Sequence, residues 1–133
     1  MTTRSPDYRA LSKFRAALRR FLRRSEDAAR RAGITPAQYS LLLAIKGHPA
    51  EVPPSVGELA GVLQLRPNSV VELVDRAAAA GLVERRPDPS DARRQRLVLT
   101  ANGEAKLDSL SHLQHDELSR FRLEVVEHLG ALE

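Results

Sequence analysis

The chain has 133 residues, of which 42% are hydrophobic and 29% charged, with 4% aromatics, no Trp and no Cys. This length bounds it to one domain, or one domain with a dimerisation appendage, and the lack of Cys excludes disulfides, thiolate metal sites and thiol redox sensing. The net charge of +4 favours a polyanionic partner, while no apolar run approaches the about 18 residues of a membrane span.

No apolar run follows Met1-Thr2-Thr3-Arg4-Ser5, so neither a leader nor a membrane anchor is expected, and a cytoplasmic location is. The charge is unevenly spread. Residues 4 to 31 carry ten Arg or Lys against Asp7, Glu26 and Asp27, whereas residues 104 to 133 carry Lys106, Arg120 and Arg122 against seven Asp or Glu. A basic start and an acidic end predict that the two pair, within a chain or across a dimer.

Residues up to about Asp7 read as an arm. From Tyr8, the spacing of Leu11, Phe14, Leu18, Phe21 and Leu22 predicts a helix face, with the helix reaching Arg31 and stopping at Gly33. Its other face carries Arg9, Lys13, Arg19, Arg20, Arg23 and Arg24, read as a solvated face, a DNA-backbone contact or a partner for the acidic end. Thr35-Pro36-Ala37-Gln38 is a capping box with Pro at the first helical position. It predicts a helix over Pro36–Lys46 that packs through Tyr39, Leu42, Leu43, Ala44 and Ile45. Gly47-His48-Pro49 ends this helix, with His48 expected to face solvent. In the connector Ala50–Pro54, Pro53 and Pro54 allow one short edge strand at most.

Ser55-Val56-Gly57-Glu58 is a second capping box, opening a helix with Leu59, Ala60, Val62 and Leu63 on its apolar face. Gln64-Leu65-Arg66 breaks it, and Pro67 opens another. That next helix is expected to run to about Ala80 and to bury Val70, Leu73, Ala77 and either Val71 or Val74, with Gly81 as its stop. Asn68, Ser69, Glu72 and Arg76 are left on its other faces. Leu82–Arg86 and Gln95–Leu99 read as strands flanking the turn Pro87-Asp88-Pro89-Ser90-Asp91, in which Pro fixes φ and Asp bonds its own backbone. Thr100 caps a last helical region. Leu107, Leu110 and Leu113, then Leu118, Phe121, Val125, Leu129 and Leu132, form its stripe, with a break expected near His115–Glu117. The fold class is therefore mainly α with a small β wing. Two short helices followed by a basic hairpin are the order of a winged helix-turn-helix.

The segment resembles the MarR family of winged-helix transcription regulators. The likeness rests on Ile34-Thr35-Pro36-Ala37-Gln38-Tyr39, Glu58-Leu59-Ala60, Ser69–Arg76, Gly81–Arg85, Asp88-Pro89-Ser90-Asp91-Ala92-Arg93-Arg94 and Leu97-Val98-Leu99-Thr100, and it covers roughly residues 8 to 112. It implies N- and C-terminal dimerisation helices around a DNA-binding domain, divided at 1–33, 34–100 and 101–133. The C-terminal part is shorter than the family's fifth and sixth helices. The likeness also implies that Asp91 orients Arg93 for the minor groove, where a concentrated negative potential suits Arg. Arg66 stands where the family usually has Ser: it cannot cap the helix, but it can neutralise a phosphate or pair with Glu72. The base readers expected from the recognition helix are Asn68, Ser69 and Glu72, with Arg76 beside them. Arg85, Arg86, Arg94 and Arg96 are assigned to phosphates.

These readings predict a homodimeric repressor on a pseudo-palindromic double-stranded DNA operator, relieved by a small aromatic or phenolic effector as the resemblance implies. The alternative is a winged-helix dimerisation or protein-docking module without specific DNA binding, since fold does not determine function. No cofactor is expected. His112, His115 and Asp116 have weak spacing for a metal and read better as interface residues. No Gly-rich phosphate loop, G-x-S-x-G or H-E-x-x-H occurs, so no enzyme is expected.

Overall fold

Hydrogen bonds from side chains start most of the helices. In the computed structural model, which describes residues 7–129, Asp7 accepts from the Ala10 amide at 2.9 Å and opens α1 (Tyr8–Arg31). Thr35 and Gln38 form the reciprocal bonds of a capping box, each 3.0 Å, at the start of α2 (Pro36–Lys46). Ser55 and Glu58 do the same, each bond 3.2 Å, at the start of α3 (Val56–Leu63). Thr100 Oγ1 accepts from the Gly103 amide at 3.0 Å at the start of α5 (Ala101–Leu129). The exception is α4 (Pro67–Ala79), whose N-cap Arg66 makes no side-chain cap bond. The expected arm before Asp7 and the expected stripe residue Leu132 lie outside the described residues.

Strands β1 (Val83–Pro87) and β2 (Gln95–Leu99) pair antiparallel, in register from Val83 opposite Leu99 to Pro87 opposite Gln95. The strand before α3 shrinks to a single bridge between Ser55 and Arg96, with the Leu97 amide donating to the Pro54 carbonyl at 2.9 Å. Prolines at 53 and 54 have no N–H to extend it.

The core joins Leu41, Leu42 and Ile45 of α2, Leu59 and Ala60 of α3, Val70, Leu73, Val74 and Ala77 of α4, and Leu82, Val83 and Leu97 at the wing's root. Ala28, Ala29 and Ile34 close one side and Leu110 of α5 another. Two expected core positions lie outside it, Leu43 at 50% exposed and Val62 at 66%, and of the alternatives Val71 and Val74 the core takes Val74 and leaves Val71 42% exposed. At 100° per residue, α4 already fills its inner face with 70, 73, 74 and 77, which turns Val71 outward.

Helix α1 lies along α5. Phe21 stacks on Phe121 at 5.2 Å, and Phe14 meets the same ring at 6.1 Å. Arg20 pairs with Glu124 at 2.6 Å and Arg24 with the buried Glu117 at 3.5 Å, the predicted pairing of basic and acidic ends. The face of α1 buried within the chain is made of Ala10, Ala17, Ala28 and Ala29, small enough for close helix approach, while Leu11 and Leu22 stay exposed. The expected break at His115–Glu117 does not occur. Residues 104 to 129 contain no Pro or Gly to interrupt the helix. Gln114, just before that stretch, is also tied to α1, through a 3.1 Å bond to the Ser25 carbonyl.

Candidate nucleic-acid interface

The outer face of α4 carries Arg66, Asn68, Ser69, Glu72 and Arg76, all exposed, together with Val71. No ion pair joins Arg66 to Glu72 among the described residues. With no side-chain cap, the first-turn N–H groups of α4 keep their positive end for an outside acceptor. Val71 is the residue on this face that sequence reading missed. The signal was present in the helical arithmetic, since an apolar residue between two core positions has no inner surface to meet. Facing outward, it is an apolar group of the kind that can meet a thymine methyl.

The wing presents its arginines in different states. The Arg93 side chain is 92% exposed, and its backbone N–H and Nε both donate to Asp91 Oδ1, at 3.0 and 3.3 Å. This is the Asp-to-Arg arrangement expected from D-x-R. Arg94 is exposed, while its backbone closes the turn through Asp88 N–H to Arg94 O and Arg94 N–H to Asp91 O, both 2.9 Å. Arg86 is exposed, with Glu84 at 3.7 Å. Arg85 is bound to Asp75 of α4, so it ties the wing to that helix and is only partly free for an outside anion.

Arg96 departs from its assignment as a phosphate contact. Its side chain is 15% exposed and points inward. Nε donates to Asp88 Oδ2 at 2.7 Å, and Nη1 donates to Glu58 Oε1 at 2.7 Å and to the Pro53 carbonyl at 3.1 Å. Asp88 Oδ1 meanwhile accepts from the Ser90 amide at 2.8 Å, the Ser90 hydroxyl at 2.7 Å and the Asp91 amide at 3.2 Å. The Ser90 hydroxyl and amide, then the Arg96 guanidinium, hold the Asp88 carboxyl far below the usual carboxylate range. The Ser55 amide leads the groups that lower Glu58. Sequence reading found the turn role of Asp88 but not its pairing with Arg96, because nothing local marks an inward-facing strand position that is polar. His48 also departs from expectation. Its side chain is 11% exposed and its Nε2 lies 3.4 Å from Glu58 Oε2, so it packs beside this network instead of facing solvent.

The depressed Asp88 sets a pH dependence. A group whose folded pKa lies below its unfolded value contributes stability that is complete above the unfolded value and is lost as pH falls through the folded one. Thermal melts of wild type and Asp88→Asn should therefore differ by a constant amount from neutral pH down to the ordinary Asp value of 3.8, with wild type the more stable. The gap should narrow below that pH. A gap that stays level down to the acid limit would remove Asp88 from this role.

The sequence model of the MarR family matches residues 32–94. A crystal structure of a MarR family transcription regulator superposes with a TM-score of 0.74 at 28% identity, over 86% of this chain and 74% of that one. The chain is therefore similar to the MarR family in sequence and in fold. The transcriptional regulator Tm0710 from Thermotoga maritima is similar at 29% identity, over 86% of this chain and 76% of its own, with a TM-score of 0.64. A mutant MarR from E. coli complexed with operator DNA shares the fold, with a TM-score of 0.68 and 24% identity over 80% of this chain and 75% of that one. No curated protein matches the sequence.

Away from the wing, the chain has a cleft of about 660 Å³ between α1, α2 and α5, lined by Phe21, Leu22, Tyr39, Leu43, Leu107 and Leu118 among others. Partial burial pushes the Tyr39 hydroxyl pKa up. His115 lines the same cleft. Among the described residues, His112, His115 and Asp116 form no metal-binding cluster, and no helix is long and apolar enough to cross a membrane.

Proposed function

We propose that this chain is a regulator of the MarR type that binds a pseudo-palindromic operator as a homodimer and represses transcription until a small aromatic or phenolic ligand is bound. The observation that carries this reading is the state of Arg93. It is almost fully exposed, oriented by Asp91, and set on a wing that Arg85 and Asp75 tie to α4. In this reading Arg93 enters the minor groove, Arg66, Arg86 and Arg94 meet phosphates, Arg85 does so less, and Asn68, Ser69, Glu72 and Arg76 face the major groove. Residues 34–100 carry the DNA contacts, and the helices on either side carry the dimer.

Leu11 and Leu22 of α1 and Leu118, Leu123 and Val126 of α5 are 44–65% exposed in the single chain, which supports an isologous interface built from the two helices. The operator complex of the similar E. coli protein supports the DNA partner. The apolar cleft beside Tyr39 is the place for the effector, since a mostly apolar concavity with a few polar groups suits a small aromatic molecule.

Selection of bound sequences from a random duplex pool tests the reading. An inverted repeat should be enriched, with half-sites about 34 Å or a multiple apart, and its affinity should fall steeply as salt rises. A pool that returns no enriched site at low salt would refute DNA recognition.

A further inference from the structure

We propose that Arg96 is a positioning residue: its guanidinium, shared between Asp88 of the wing turn and Glu58 of α3, sets the reach of Arg93 and so governs DNA affinity without touching DNA. This rests on the DNA-binding reading above.

The wing has two parts held in different ways. Its root is fixed by backbone and core: Leu82, Val83 and Leu97 are buried, the Leu97 amide bonds Pro54, and the Thr100 amide bonds the Leu82 carbonyl at 3.1 Å. Its tip, residues 88 to 94, is bonded almost entirely to itself. Asp88 accepts from Ser90 and Asp91, Arg94 closes on Asp88 and Asp91, and Asp91 holds Arg93. Among the described residues, the one side-chain bond leading out of this turn is Asp88 Oδ2 to Arg96 Nε at 2.7 Å.

From Arg96 the connection continues into the body of the fold, to Glu58 Oε1 at 2.7 Å and the Pro53 carbonyl at 3.1 Å. Glu58 is itself the capping-box partner of Ser55, so the far end of the link is a fixed helix start. A planar guanidinium with several donors can serve both carboxylates at once, and a lysine ammonium cannot do so with the same geometry. The chain from α3 through Arg96, Asp88 and Asp91 ends on the Arg93 guanidinium. A loosened Asp88 leaves Arg93 on a tip with no outside anchor.

Two measurements test this. The first is a double-mutant cycle on the selected operator, with wild type, Arg93→Ala, Arg96→Met and both together. If Arg96 acts through Arg93, Arg93→Ala should cost more than about tenfold in affinity in wild type but under about twofold in the Arg96→Met background, the non-additivity of residues in one network. The same factor in both backgrounds would overturn the proposal, because a general loss of stability would leave the cost of Arg93 unchanged. Should Arg96→Met not fold, Asp88→Asn takes its place. Its Oδ1 still accepts from the Ser90 and Asp91 amides while its charge toward Arg96 is lost, and the same collapse of the Arg93 effect is expected.

The second is amide exchange on the protein without DNA. Arg96→Met, or Asp88→Asn in its place, should speed exchange at Ser90, Asp91 and Arg94 by about threefold or more while Leu82 and Leu97, whose amides bond the Ala77 and Pro54 carbonyls, stay protected, as a local opening does. Unchanged exchange in the turn would overturn the link between Arg96 and the tip. A wild-type protein that selects no operator would refute the DNA reading instead, and the exchange measurement would still decide the role of Arg96.

Discussion

Replacing Arg93 with Ala is expected to weaken operator binding by more than about tenfold while fold and dimer stay intact. The fold is spared because the side chain is 92% exposed and, among the described residues, its one ion partner is Asp91 in its own turn. Exposed pairs of this kind contribute little to stability. The affinity loss is large because an arginine in a narrow minor groove meets a concentrated negative potential, and its Nε bond to Asp91 orients it before DNA arrives. Titration of a labelled operator between about 50 and 200 mM salt separates Arg93 from Arg94. Arg94→Ala should lower the slope of log K against log salt by about one phosphate's share and weaken all sequences alike. Arg93→Ala should weaken the operator more than random duplex. Equal affinity of wild type and Arg93→Ala at moderate salt would remove the wing tip from the interface.

The second large effect concerns the joint between wing and α5. Thr100 turns the chain from β2 into α5, its Oγ1 donating to the Gly81 carbonyl at 2.6 Å and accepting from the Gly103 amide at 3.0 Å. This brings Gly103 against the Leu82 backbone, so close that an added Cβ would collide with the Leu82 carbonyl oxygen. That oxygen already accepts from the Thr100 amide, and Leu82 is 2% exposed, so neither side can retreat. Gly103→Ala should therefore destabilise by about 1–3 kcal/mol or more, the cost of forcing atoms into a packed site. That corresponds to a fall in Tm of several degrees for about 1 kcal/mol in a chain of this size. Gly61→Ala is the matched control. A Cβ there meets nothing within 4 Å on the exposed side of α3, and the helix should gain about 0.5–1 kcal/mol from the exchange. Thermal melts showing the two variants moving Tm the same way would refute the close approach at Gly103.

The elements themselves were readable because their signals are local. Both capping boxes, the Asp88 turn, Gly81 at φ +75° after α4 and the wing strands, displaced by one residue in β1, depend on groups within a few positions of one another. Pro53 and Pro54 likewise announced how little strand precedes α3. The Asp91–Arg93 pair was expected from the resemblance to the MarR family, not from a local signal, and the two side chains do meet.

Apolar periodicity was less decisive about which surface each stripe meets. Leu11, Leu22, Leu43 and Val62 fit helical faces yet remain exposed in the single chain, while the buried positions of α1 are the alanines at 10, 17, 28 and 29. An apolar stripe identifies a face that avoids water, and it does not say whether the chain's own core or another surface will cover it.

By itself, then, the order of residues determined the helix starts, the turns and the hairpin, since each is settled by hydrogen bonds and sterics within a few residues. Only the tertiary structure decided that Arg96 faces inward to Glu58, that Arg85 is shared with Asp75, that Val71 faces out and that α5 runs unbroken along α1. Those outcomes depend on charges and side-chain volumes brought together from as far apart as Arg20 and Glu124. No local pattern encodes such a meeting, because it exists only once the core has fixed the distance between the elements.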